Sequence, residues 1–101
     1  DVIARQLIRA GTSIGANYRA ACRAKSSPDM INKLKIVEEE SDETEYWLEL
    51  LTEAGLAPQD QIADIYKETD EILAMTIASI KTLRNRKSQI VNRKSRIVNL
   101  C

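Results

Sequence analysis

SPDMINKLKIVEEESDETEYWLELLTEAG, Ser27–Gly55, is a single long helix by its spacing, and the rest of the chain has to fit it. Within it Met30, Leu34, Val37, Ser41, Thr44, Leu48 and Leu51 recur at steps of four and three residues, the a/d rhythm of helices packed nearly parallel to one another. A strand would alternate every second residue, and nothing here does. Ser27 is expected to cap the first turn. Pro28 suits the first helical position, where its missing N–H costs nothing, and Asp29 complements the positive helix end. Gly55 supplies a stop, and Pro58 blocks resumption of the helix before that point. At about 1.5 Å per residue the rod is roughly 40 Å long, so it needs partners of matching length.

Two such partners flank it. Asp1–Ala24 reads as a helix whose stripe is Ile3, Leu7, Ala10, Ile14, Asn17 and Ala21, with Tyr18 beside it. Asn17 in that stripe has the character of a registry device, because a buried amide penalises misaligned packing. Ser41, Thr44, Thr69 and Thr76 are milder polar seam positions, and all five, Asn17 included, more readily bond their own helix backbone. Gly11 and Gly15 each cost about 1 kcal/mol relative to Ala, which points to a tight helix crossing or a local irregularity. After the Gly55–Pro58 turn, Gln59 to about Arg86 forms another helix with the seam Ile62, Tyr66, Thr69, Leu73, Thr76, Ile80 and Leu83. The central helix adds a second apolar flank at Ile36, Trp47 and Ala54, with Leu50 at its edge. The expected architecture is all-α: an up-down antiparallel bundle of the four-helix type with three long helices present. The bundle is expected over 1–86. Beyond it lies a mobile basic tail at 87–101, carrying most of the tandem heptapeptide NRKSQIV–NRKSRIV of Asn85–Val98.

The chain has 101 residues and zero net charge, and it contains no His. Without His there is no familiar nucleophile–base constellation, and no phosphate loop is present, so an enzyme is not expected. Carboxylates at helical spacing suggest a metal, but the Glu-x-x-His ligands of di-metal bundles are absent, and no metal or other cofactor is expected. The apolar run Ile72–Ile80 is too short to span a bilayer. Cys22 and Cys101 form neither a disulfide framework nor a metal spacing, which makes a reducing cytoplasm the default.

The zero net charge hides a segregation. Through Val37 seven Lys/Arg face two acids; Glu38–Leu73 has thirteen Asp/Glu against Lys67; from Ala74 onward there are seven Lys/Arg and no acid. Oppositely charged helices attract one another, within a bundle or between subunits. A basic surface for a polyanion is the sharper alternative. Projected at about 100° per residue, Arg5, Arg9, Arg19 and Arg23 share one face of the first helix. Such a line either grips phosphates through forked guanidinium donors or is simply a solvated face.

RAGTSIGANYRAACRAKS at Arg9–Ser26, DMINKLKIVEEESDETEYWLELL at Asp29–Leu51 and ILAMTIASIKTL at Ile72–Leu83 resemble the bacterial four-helix-bundle proteins encoded in intervening sequences of large-subunit ribosomal RNA. The accessory variability determinants of diversity-generating retroelements are relatives of that family. The resemblance implies a bundle assembling into a homopentamer, no enzymatic activity and, in the retroelement branch, binding to nucleic acid and a reverse transcriptase. It also implies a helix preceding the first one here. Three helices without it would leave an apolar face, and three helices closed on themselves would refute that idea. The chain departs from the family pattern at Ala20, where an acid is usual, and near Met30, where Phe is usual. The leading expectation is an oligomeric adaptor that binds structured RNA or RNA–DNA through Arg5, Arg9, Arg19 and Arg23, with Lys25, Lys33, Lys35 and the basic tail contributing. Asn17, Tyr18, Ile36, Trp47 and Leu50 would serve packing and assembly. The rival is a purely structural oligomer whose charge segregation holds its subunits, or a protein partner, together.

Overall fold

The computed structural model describes residues 1–85, which are helical apart from two short connections. Helix α1 spans Val2–Cys22, α2 spans Ser27–Ala54 and α3 spans Gln59–Arg84. The expected all-α, up-down arrangement is observed. Ala21 near the end of α1 clusters with Met30 and Leu34 at the start of α2 and with Ile80 and Leu83 at the end of α3. At the other end Ile3 and Leu7 pack against Leu48, Leu51 and Ile62. Position 86, the proposed tail 87–101 and Cys101 lie outside the described residues. Cys22 is not free.

The helix ends follow local chemistry, with one shift. Ser26, not Ser27, caps α2: its backbone is extended and its hydroxyl accepts from the Asp29 N–H at 3.2 Å. The helix thereby starts one residue earlier, and the Met30 N–H reaches the Ser26 carbonyl at 3.0 Å. Gly55 ends α2 at φ 65°, ψ 30°, a left-handed geometry that glycine adopts without a Cβ penalty. Leu56 N–H closes the motif on the Leu51 carbonyl. On α1 the Asp1 carboxylate accepts from Ile3 N–H at 2.9 Å. That helix stops at Cys22, with Arg23 as its cap, short of the expected Ala24.

Helix α2 is the hub. It packs against both α1 and α3, which scarcely touch each other. All seven α2 seam residues named from the sequence are buried. Each fully buried Leu or Val among them contributes about 1.5–3 kcal/mol relative to exposure. On α3 the seam is buried except at Tyr66 and Leu73, which are half-covered. On α1 only Ala10 and Ala21 are buried. Ile3, Leu7, Ile14 and Asn17 stay half-covered because α2 shields one side of α1 and, among the described residues, no second helix closes over it. The three helices therefore do not close on themselves, and Ile8, Ile65 and Met75 remain 65%, 47% and 41% exposed.

The Asn17 amide takes the own-helix alternative: it donates to the Ser13 carbonyl and hydroxyl at 2.9 and 3.1 Å, one turn back on α1. Gly11 and Gly15 mark no tight crossing among the described residues, since a Cβ at either would meet nothing there within 4 Å. Between the two apolar clusters runs a polar waist of Ser41, Thr44, Glu45, Thr69 and Thr76, all buried. The Thr44, Thr69 and Thr76 hydroxyls bond the carbonyl four residues earlier on their own helices. Ser41 Oγ and Glu45 Oε2 have no partner among the described residues.

Candidate nucleic-acid interface

The up-down topology turns charge segregation along the sequence into charge segregation along the rod. The end of α1, the start of α2 and the end of α3 meet around Ala21, Met30, Leu34, Ile80 and Leu83. That end gathers Arg19, Arg23, Lys25, Lys33, Lys35, Lys81 and Arg84. Within residues 17–36 and 77–85 these seven cations face Asp29 as the single acid, a net +6. Six of the seven are exposed and Lys33 is half-covered. Helix termini favour this placement. Arg19, Lys81 and Arg84 lie in the last turns of α1 and α3, where the dipole is negative, while Asp29 sits in the first turn of α2.

Five of the residues named from the sequence, Arg19, Arg23, Lys25, Lys33 and Lys35, are thus brought together. Arg5 and Arg9 are not, because they lie toward the start of α1, in the acidic half. Arg9 is also engaged: its Nε donates to Gln6 Oε1 at 2.9 Å, one terminal nitrogen meets Glu40 at 3.3 Å, and the other pairs with Glu43. The Glu43 bond holds the Arg9 pKa above its ordinary value. In return the Arg9 hydrogen bond pulls Glu43 below the usual carboxylate range, while burial, reinforced by Glu43, pushes Glu40 up. At this position the attraction between basic α1 and acidic α2 operates within one chain. Lys81 and Arg84 are absent from the set drawn from the sequence. They join the cluster only when the last turn of α3 is placed beside the first turn of α2.

The opposite half is acidic. Residues 1–10 and 41–73 carry eleven Asp/Glu against Arg5, Arg9 and Lys67. Glu45 is 7% exposed; burial first, then the nearby Asp70 carboxyl and the charges of Asp42 and Glu49, raise its pKa. Tyr66 donates to Glu49 at 3.1 Å, and that bond raises the tyrosine's pKa. Most of the aromatic surface is in this half too. Tyr46 meets Trp47 edge-on with ring centroids 5.0 Å apart. Trp47 Nε1 lies close enough to Glu43 to favour the ionised carboxylate, yet it forms no hydrogen bond of normal geometry. Of the residues assigned to packing and assembly, Asn17, Tyr18, Ile36, Trp47 and Leu50 are all half-buried. Among the described residues no group of three His, Cys, Asp or Glu is placed to hold a metal ion, and no helix is long and apolar enough to cross a membrane.

Comparison with known proteins bears on this arrangement. A family model described as 23S rRNA-intervening sequence protein matches residues 1–78. A solved structure from Bacteroides thetaiotaomicron VPI-5482, a protein of unknown function from the S23 ribosomal protein family, superimposes with a TM-score of 0.77 at 46% sequence identity. That match covers 80% of this chain and 72% of the other. No curated protein matches the chain.

Proposed function

The chain belongs to the 23S rRNA-intervening sequence protein family, and from that premise we propose that it is a non-enzymatic helical adaptor that binds structured RNA or RNA–DNA through its basic end. The observation that carries the reading is the meeting of Arg19, Arg23, Lys25, Lys33, Lys35, Lys81 and Arg84 at one end of the rod. Cations drawn from three helices onto one surface can neutralise several phosphates at once, and release of counterions then drives binding. A cytoplasmic setting goes with this reading. The test is fluorescence anisotropy with a labelled structured RNA at low salt. The expected result is binding that weakens steeply as salt is raised. Undetectable binding, or binding unchanged when Arg19, Arg23, Lys81 and Arg84 become Gln, overturns the proposal.

Self-assembly is part of the same proposal. Ile8, Ile65 and Met75 are exposed on helices that scarcely touch each other, and apolar surface of that kind favours a second subunit. A homo-oligomer is proposed, a pentamer on the family resemblance, with a reverse transcriptase as protein partner in the retroelement branch. The alternative is a purely structural oligomer, and the Arg9 ion pairs with Glu40 and Glu43 favour it to the extent that basic α1 already serves packing. Light-scattering mass of an Arg19→Glu, Arg23→Glu variant separates the two: dissociation of the assembly supports the structural reading, whereas loss of RNA binding at unchanged mass supports the adaptor.

A further inference from the structure

We infer that the ligand of the basic end is a nucleic-acid double helix held by its phosphates, not a single strand read through its bases. The inference rests on the nucleic-acid reading above and narrows its substrate class. Single-stranded ligands are bound by stacking their bases on aromatic side chains, each stacked base adding about one to two orders of magnitude in affinity. The basic end has no such platform. Tyr18 is the one aromatic residue within 17–36 and 77–85, and it is half-buried. Tyr46, Trp47 and Tyr66 lie in the acidic half, where carboxylates repel a phosphate chain.

Shape and charge spacing point the same way. Among the described residues the basic end is the blunt tip of a rod about 20 × 17 Å in cross-section, with a short turn between α1 and α2 and no strand or long loop to enter a groove. A duplex presents one charge per roughly 1.7 Å of axis, twice the density of either strand, at spacings already fixed before binding. A flexible strand must be ordered by the protein, and here no stacking offsets that cost. The A-form major groove is too deep and narrow for side chains to read, which leaves phosphates and the 2′-hydroxyls of the shallow minor groove as the contacts available to Arg19, Arg23, Lys81 and Arg84.

The test titrates the full chain with a 20-base-pair RNA duplex, the matching RNA–DNA hybrid and one unstructured strand of the same length, at about 50 and 200 mM salt. Both duplexes are expected to bind at least tenfold more tightly than the strand. Engagement of five to seven cations would give a log–log salt slope of roughly −4 to −6. Replacing Arg19, Arg23, Lys81 and Arg84 by Gln, in a variant whose circular dichroism is unchanged, is expected to cost more than tenfold on the duplexes and to flatten the slope by about three units. Equal or tighter binding to the strand overturns the inference while leaving nucleic-acid binding intact; binding to none of the three overturns both. A duplex preference that survives the four-residue variant overturns the assignment to this end.

Discussion

At the end of the rod where α2 begins, Leu34 and Leu83 are 2% and 3% exposed beneath seven Lys/Arg and a single Asp; at the end where α2 finishes, Leu48 and Ile62 are 1% and 5% exposed beneath a surface dominated by Asp and Glu. The two interiors are built alike, each from apolar residues of α2 and α3 with α1 laid against them. The exteriors carry opposite charge. Stability and electrostatic character are therefore set by separate residues here, so substitutions should be able to move one without the other.

The largest expected effect tests the likeness of the interiors. Leu34→Ala and Leu48→Ala should each lower unfolding stability by about 2–5 kcal/mol, with similar shifts of urea midpoint because both side chains are almost wholly covered. If one end tolerates truncation and the other does not, the two clusters are not equivalent. A smaller effect, of opposite sign, is expected at the uncovered flank of α1. Gly11→Ala and Gly15→Ala should each stabilise the monomeric chain by about 0.5–1 kcal/mol, since the added Cβ meets nothing. A loss of stability or of assembled mass would mean that a neighbouring backbone covers this flank in solution.

The smallest effect concerns the waist between the ends. The folded chain binds a proton at Glu45 more tightly than the unfolded chain does, because burial and Asp70 raise its pKa. Stability therefore falls as pH rises from the ordinary carboxylate value, about 4.3, through the raised one. Glu43, lowered chiefly by Arg9, has the opposite sign: its contribution is present above the ordinary value and fades as pH falls through its depressed one. Glu45→Gln should raise the urea midpoint at pH 7 and leave it nearly unchanged at pH 4. A loss at pH 7 that disappears at pH 4 would show instead that Glu45 is held by a partner that needs its charge.

Most of the fold was legible because it is written in periodicity. The Met30–Leu51 seam and Gly55 name a helix, its buried face and its end, and the structure places each accordingly. Periodicity identifies a face but not what lies against it. That is why the seam leaves open whether the Asn17 amide is met across helices or, as it is, by Ser13 on its own helix, and why the arginine line reads as one surface while Arg9 is drawn away to Glu40 and Glu43. The cap shift from Ser27 to Ser26 turns on which of two adjacent hydroxyls reaches an N–H, a matter of backbone angles. Lys81 and Arg84 were hidden for a topological reason: more than forty positions separate them from Lys33 and Lys35, and only antiparallel folding makes them neighbours.

The separated ends have a kinetic consequence. A rod about 49 Å long with eleven acids in one half and a cationic tip on the other does not meet a polyanion in a random orientation. The acidic half is repelled, the tip is attracted, and the resulting torque turns the molecule end-on before contact. At physiological ionic strength screening limits that torque to roughly the last 8 Å of approach. Salt should therefore slow association as well as weaken the complex, and neutralising acids far from the tip, such as Asp60 and Asp64, should change the association rate while leaving dissociation nearly untouched.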